Sequence, residues 1–142
     1  MAYLIDTSVI SEYRKGGQCH PGVARFFRTV EDGELFLPVQ AIGEIRAGIA
    51  KARRRKERLK AGIYEHWLGG LLDSFAGRII EFDADCAQVW GALLAGERND
   101  PHTIDKQIAA IAIVRDMTLV TRDSGLRSVS AAQVRLLDPF QD

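Results

Sequence analysis

The apolar residues along this chain change period several times, and each change marks an element. Residues 2–6 (AYLID) form a short apolar run that stops at Asp6 and reads as a buried strand. Thr7 or Ser8 can cap a short helix after it, and the Gly16-Gly17 pair ends that helix. Pro21 opens a second helix with Val23, Phe26, Phe27 and Val30 at helical spacing. Residues 34–37 are a short strand ending at Pro38. A helix follows from Val39, striped by Ile42, Ile45 and Ile49, and another over 57–74 carries Leu59, Ile63, Trp67 and Leu71 on one face. Residues 78–82 (RIIEF) are a strand. From Asp85 the pattern is helical, with Val89, Leu93 and Leu94 apolar, and residues 96–102 are a polar loop. A helix over 104–115 leads into strands over 117–121 and 133–137.

Strands separated by helices require crossover connections, hence an α/β fold: a doubly wound, mostly parallel sheet of about five strands with helices on both faces. The 142 residues are the length of a single domain, taken as 1–142. Ligands of such sheets bind outside the carboxyl ends of the strands, so the residues directly after each strand are the first candidates for chemistry.

Composition narrows the class. The chain is 46% apolar and 27% charged, as in a soluble globular protein, and no apolar run approaches the ~20 residues of a membrane span. The N-terminus shows no secretory signal, so a cytoplasmic protein is expected, away from any membrane. Cys19 and Cys86 have no second Cys or His at metal spacing, which excludes a zinc site and a disulfide framework. Net charge is zero, which by itself argues against general nucleic-acid binding, but the average hides an asymmetry. Residues 51–60 (KARRRKERLK) carry seven basic groups and one acid, net +6, so the remaining 12 basic and 18 acidic groups leave the rest at −6. The run is either a solvated helical face, a track for RNA phosphates or a docking strip for an acidic partner. Arg46 and Arg122 lie nearer the acids in sequence and are the better candidates for substrate contact.

Four acids stand at informative places. Asp6 ends the first strand and Asp123 comes after the fourth (LVTRD). Each alone reads equally as a cap or turn residue, but if those strands are neighbours both point into one crevice. Asp105 lies in the first turn of its helix, where the dipole favours an acid, with Ala109 and Ala112 beneath it at i+4 and i+7. Glu44 lies just off the apolar stripe of its helix, with Ala47 and Gly48 as small neighbours; pairing with Lys51 on a plain surface is the alternative. Converging carboxylates raise one another's pKa unless a cation lies between them. Hard oxygen donors suit Mg²⁺ or Mn²⁺, which generate hydroxide from water and clamp phosphate. No protein nucleophile with its base is suggested by position.

LIDTSVISE at the start, GEIRAGI in the middle, and DKQIAAIAI followed by TLVTRDS resemble the PIN domain, and in particular the VapC/FitB-like toxins of bacterial toxin–antitoxin systems. The likeness covers nearly the whole chain in the right order. It implies a Mg²⁺- or Mn²⁺-dependent endoribonuclease acting on RNA, and a homodimer silenced by a VapB-like antitoxin, with higher assemblies open to the pair. It implies Asp6 and Asp105 as direct metal ligands, with Glu44 and Asp123 completing the shell directly or through water. Thr7, Ser8 and Thr121 would hydrogen-bond phosphate or metal-bound water. Two departures stand out. Ser124-Gly125-Leu126-Arg127 supplies no further acid, leaving a second metal site incomplete, and Lys106 is bulkier than the small residue common after the third acid.

Other readings fit less well. A haloacid-dehalogenase-type phosphotransferase needs an Asp where Ser8 stands, and a response-regulator receiver needs an early acidic pair that is missing. A catalytically silent PIN-like binding module, or an RNA-processing nuclease outside any toxin–antitoxin pair, are the remaining alternatives.

Overall fold

A computed structural model describes residues 1–94, 101–122, 126 and 133–141. Five strands, β1 (Tyr3–Ile5), β2 (Leu35–Pro38), β3 (Ile79–Ile80), β4 (Thr118–Val120) and β5 (Arg135–Leu137), alternate with helices α1 (Thr7–Tyr13), α2 (Pro21–Thr29), α3 (Val39–Arg54), α4 (Arg58–Ser74), α5 (Ala84–Leu93) and α6 (Thr103–Arg115). The sheet order is β3-β2-β1-β4-β5, and every pairing is parallel. The chain first steps outward from β1 to β3, then returns to lay β4 on the other side of β1. That reversal between β1 and β4 is where a crevice opens at the carboxyl edge.

Both faces of the sheet are covered at β1, β2 and β4, which is why those strands read as continuous apolar runs, while the edge strand β5 leaves Arg135 and Leu136 exposed. Ile5, Leu37 and Val120 pack under α1 to α4 with Val9, Val23, Ile45, Ile49 and Leu68. Leu4 and Leu119 face the other way, onto Cys86 and the Ile108, Ala109, Ile111 and Ala112 surface of α6. Each large apolar side chain of this kind contributes roughly 1.5–3 kcal/mol on burial. Phe26, Leu71 and Phe75 belong to the first of these cores, Phe27 and Trp67 pack at its margin, and Leu72 is exposed. Trp90 lies edge-on to Phe82 and donates its indole N–H to the Thr103 carbonyl.

Local chemistry departs from expectation in three places. The cap of α1 is Asp6 rather than Thr7 or Ser8, its carboxylate accepting from the Thr7 amide at 2.8 Å. The buried stripe of α4 runs through Ala61, Leu68 and Leu71, leaving Leu59 (81% exposed) and Ile63 (53% exposed) outside. The reason is that α4 packs along α3, and small Ala61 enters the same core as Ala52 of α3, a closeness that a branched residue would prevent. Similarly, Val39 and Ile104, at the first turns of α3 and α6, are exposed ends of their stripes.

The basic run is split by a helix end. Lys56 takes a left-handed conformation (φ 61°). Its N–H bonds to the Arg53 carbonyl and that of Glu57 to the Ala52 carbonyl, the reciprocal pattern of a Schellman cap without its usual glycine. Left-handed backbone costs a non-glycine residue about 1–2 kcal/mol, partly offset by the greater entropy glycine loses on folding. Lys56→Gly is therefore expected to stabilise the protein by about 0.5 kcal/mol in urea denaturation; a clear loss of stability would mean that the lysine side chain, not the turn, matters here.

Candidate active site

Asp6 is the last residue drawn out of the central strand, and the sheet holds it there. Its N–H bonds to the Val120 carbonyl at 2.9 Å, continuing the β1–β4 ladder by one step. The side chain is buried (7% exposed). One carboxylate oxygen accepts from the Thr7 N–H; the other accepts from the Ser8 hydroxyl at 3.1 Å and the Thr121 hydroxyl at 2.8 Å. Thr121 reaches it from just beyond β4, so the two strands flanking the reversal meet at this carboxylate.

Glu44 arrives from the second turn of α3, which starts directly after β2 at the same edge. The Thr7 hydroxyl donates to its Oε1 at 2.7 Å. Thr7 thus serves both acids, backbone to Asp6 and side chain to Glu44. Loss of water around the Glu44 carboxylate raises its pKa, and the negative charge of Asp6 raises it further, against the lowering effect of the Thr7 bond. The residue is exposed, and its bond to Thr7 lies at the open side of the crevice.

Asp105 lies in the first turn of α6, which runs back toward the start of β4, so that turn stands at the carboxyl edge. One of its oxygens is 3.4 Å from Nδ1 of His102, the residue preceding the helix. Beneath it, Ala109 and Ala112 are buried in the position expected of them. Lys106 is buried in the same turn (5% exposed), where it is engaged rather than free. Asp123 lies outside the described residues.

The two arginines differ. Arg122 is exposed next to Thr121, its guanidinium 4.6 Å from the centre of the Phe140 ring. Arg46 instead grips Glu65 of α4 with two bonds of 2.7 Å, and Arg53 adds a third of 2.8 Å. These guanidiniums hold the Glu65 pKa down to about 2. The basic run ends α3 and opens α4; at 1.5 Å per residue, Arg54 is roughly 15 Å along the helix from Glu44. His102 stands beside Asp105, and Gln40 and Gln107 bond to each other from the helices that bear Glu44 and Asp105; the apolar pattern of the sequence does not single them out. The i−3 spacing from Asp105 is the signal that would have found His102.

The donors are carboxylate and hydroxyl oxygens, the chemistry of a hard cation such as Mg²⁺ or Mn²⁺. Burial is the main cause of the raised Glu44 pKa and the Asp6 charge a smaller one, and a positive ion would offset both. Among the described residues no three His, Cys, Asp or Glu side chains form a metal-holding group by themselves. In the metal-free protein, Glu44 is expected to titrate above its ordinary value of 4.5. Asp6→Asn should bring it down by removing the like charge, and Thr7→Val should push it higher by removing the donor to the ionised form. Carboxyl ¹³C NMR titration reads both, and a Glu44 indifferent to either change would separate it from the Asp6 crevice.

Comparison with known proteins agrees with this architecture. The plasmid stability protein StbB of Pseudomonas syringae pv. tomato is 33% identical over 97% of this chain and 98% of its own length. The VapC ribonuclease Y4jK of Sinorhizobium fredii is 28% identical, covering 97% of each. The crystal structure of FitAcB from Neisseria gonorrhoeae superposes with a TM-score of 0.70 at 30% identity, over 99% of both chains. A family model for the PIN domain matches residues 3–132, and the parallel five-stranded sheet agrees with it: this chain belongs to the PIN-domain family.

Proposed function

We propose that this protein is a Mg²⁺- or Mn²⁺-dependent endoribonuclease and the toxin of a toxin–antitoxin pair. The observation that carries the reading is the Asp6–Glu44 pair, tied together by Thr7 at the strand-order reversal, with the Glu44 pKa raised by burial and, to a lesser degree, by Asp6. Two acids brought together in this way are costly without a cation, and Asp105 stands on the same edge. Asp6 and Asp105 would bind the ion directly, with Glu44 and Asp123 completing its surroundings. When bound, such an ion lowers the pKa of water and offsets charge on a phosphate.

The chain's own part is orientation. Thr7, Ser8 and Thr121 donate to both oxygens of Asp6 and so orient the carboxylate. Arg122, exposed beside Thr121, is the proposed phosphate contact. Arg46 would have to leave Glu65 to reach RNA, so its role here is to brace α3 against α4. The relatives supply the biological setting: one is named a plasmid stability protein and another a VapC ribonuclease. A VapB-like antitoxin and a second copy of this chain are the proposed partners. No described helix is long and apolar enough to cross a membrane, and the proposed location is the cytoplasm.

The test is cleavage of total cellular RNA by the purified, antitoxin-free protein with Mg²⁺, with Mn²⁺ and with chelator, beside Asp6→Asn and Asp105→Asn. Cleavage that needs metal and falls at least 100-fold in both variants is expected. Folded protein that neither cuts RNA nor binds Mn²⁺ would instead be a silent binding module.

A further inference from the structure

A pair of amides joins the two helical layers across the edge that carries the acids. Gln40 is in the first turn of α3, four residues before Glu44 and so on the same side of the helix; Gln107 is in α6, two residues after Asp105. The Gln40 amide nitrogen donates to the Gln107 side-chain oxygen at 3.2 Å. The helices belong to opposite faces, α3 over the Ile5 core and α6 over the Leu4 core. The bond therefore spans the distance between the helix that bears Glu44 and the helix that bears Asp105.

The same residue carries a cost. The Gln40 Oε1 is enclosed and makes no hydrogen bond. Leaving a buried acceptor unmet is unfavourable, and an apolar side chain of similar length would avoid it. Turning both amides over keeps the bond with roles exchanged, yet still leaves one terminal atom of Gln40 enclosed without a partner. The amide is explained if the cross-layer bond does something that packing cannot, which is to fix the separation of two helices whose carboxylates must meet a common ion.

We propose that Gln40 and Gln107 are positioning residues of the metal site, acting as a unit to set the spacing between Glu44 and Asp105. This rests on the metal-nuclease reading of the same crevice. The pair bonds to itself, so its effect on the ion runs through the helix spacing and is set at the lower end of the about 10- to 100-fold change seen for groups that bond a ligand directly, while removing both members of a hydrogen-bonded pair can leave stability unchanged or improved.

The test is Mn²⁺ titration by calorimetry, with thermal melting, on the full chain and on Gln40→Met, Gln107→Met and the double variant, with Asp6→Asn as reference. Each single change is expected to weaken Mn²⁺ binding about tenfold, and the double change no more than either one. The melting temperature of Gln40→Met should stay or rise. Unchanged affinity in all three would overturn the pairing, as would additive losses that track a falling melting temperature. If the unaltered protein shows no Mn²⁺ binding that depends on Asp6, the nuclease reading fails and takes this one with it. If that binding is present and the glutamine variants match it, the positioning role alone fails.

Discussion

The carboxylate of Asp6 is the point on which the crevice is built. A buried acid at the end of a central strand has to satisfy its oxygens from within the protein. Here the donors come from the next two residues and from the strand beside it, Thr7, Ser8 and Thr121. Meeting that need at once caps α1, ties β1 to the segment after β4, and leaves Thr7's hydroxyl turned to Glu44. The site is thus made by the same bonds that end the strand and start the helix.

Parallel topology supplies the rest. Because β4 returns to the side of β1 opposite β2, the carboxyl edge gathers the residues just beyond β1, β2 and β4, while α6 contributes its first turn from the other face. The gathering shows at Glu44, which holds its proton more tightly because water is partly excluded and, to a lesser degree, because Asp6 is near. Beneath the arrangement, Leu4, Ile5, Leu119 and Val120 are fully enclosed.

The α3–α4 hairpin handles charge differently. Its arginines satisfy Glu65 on the solvent side, and the remaining basic groups cluster around the Lys56 turn, away from the acids. The basic run is thereby held apart from Asp6 and Glu44, and the cations next to the acids are Lys106, buried beside Asp105, and Arg122, exposed beside Thr121.

Much of this was legible in the sequence. The five strands and the six α-helices described above come out of apolar runs and periodicity, because both faces of the sheet are buried and each helix needs one apolar side. Asp6, Glu44 and Asp105 stood out by place: after a strand, beside small neighbours, and in a first turn over alanines. The misread side of α4 shows the limit, since Leu59 and Ile63 are as apolar as the residues that are buried and only contact with α3 selects among them. The contacts that make a site were not legible at all: Thr7 with Glu44, 37 residues apart, Gln40 with Gln107, 67 apart, and Asp6 with Thr121, 115 apart. Local pattern determines what each segment can bury, so it determined the elements and which acids lie at their ends. Which side chains then share a hydrogen bond depends on strand order and helix packing, and those were decided only when the whole sheet closed.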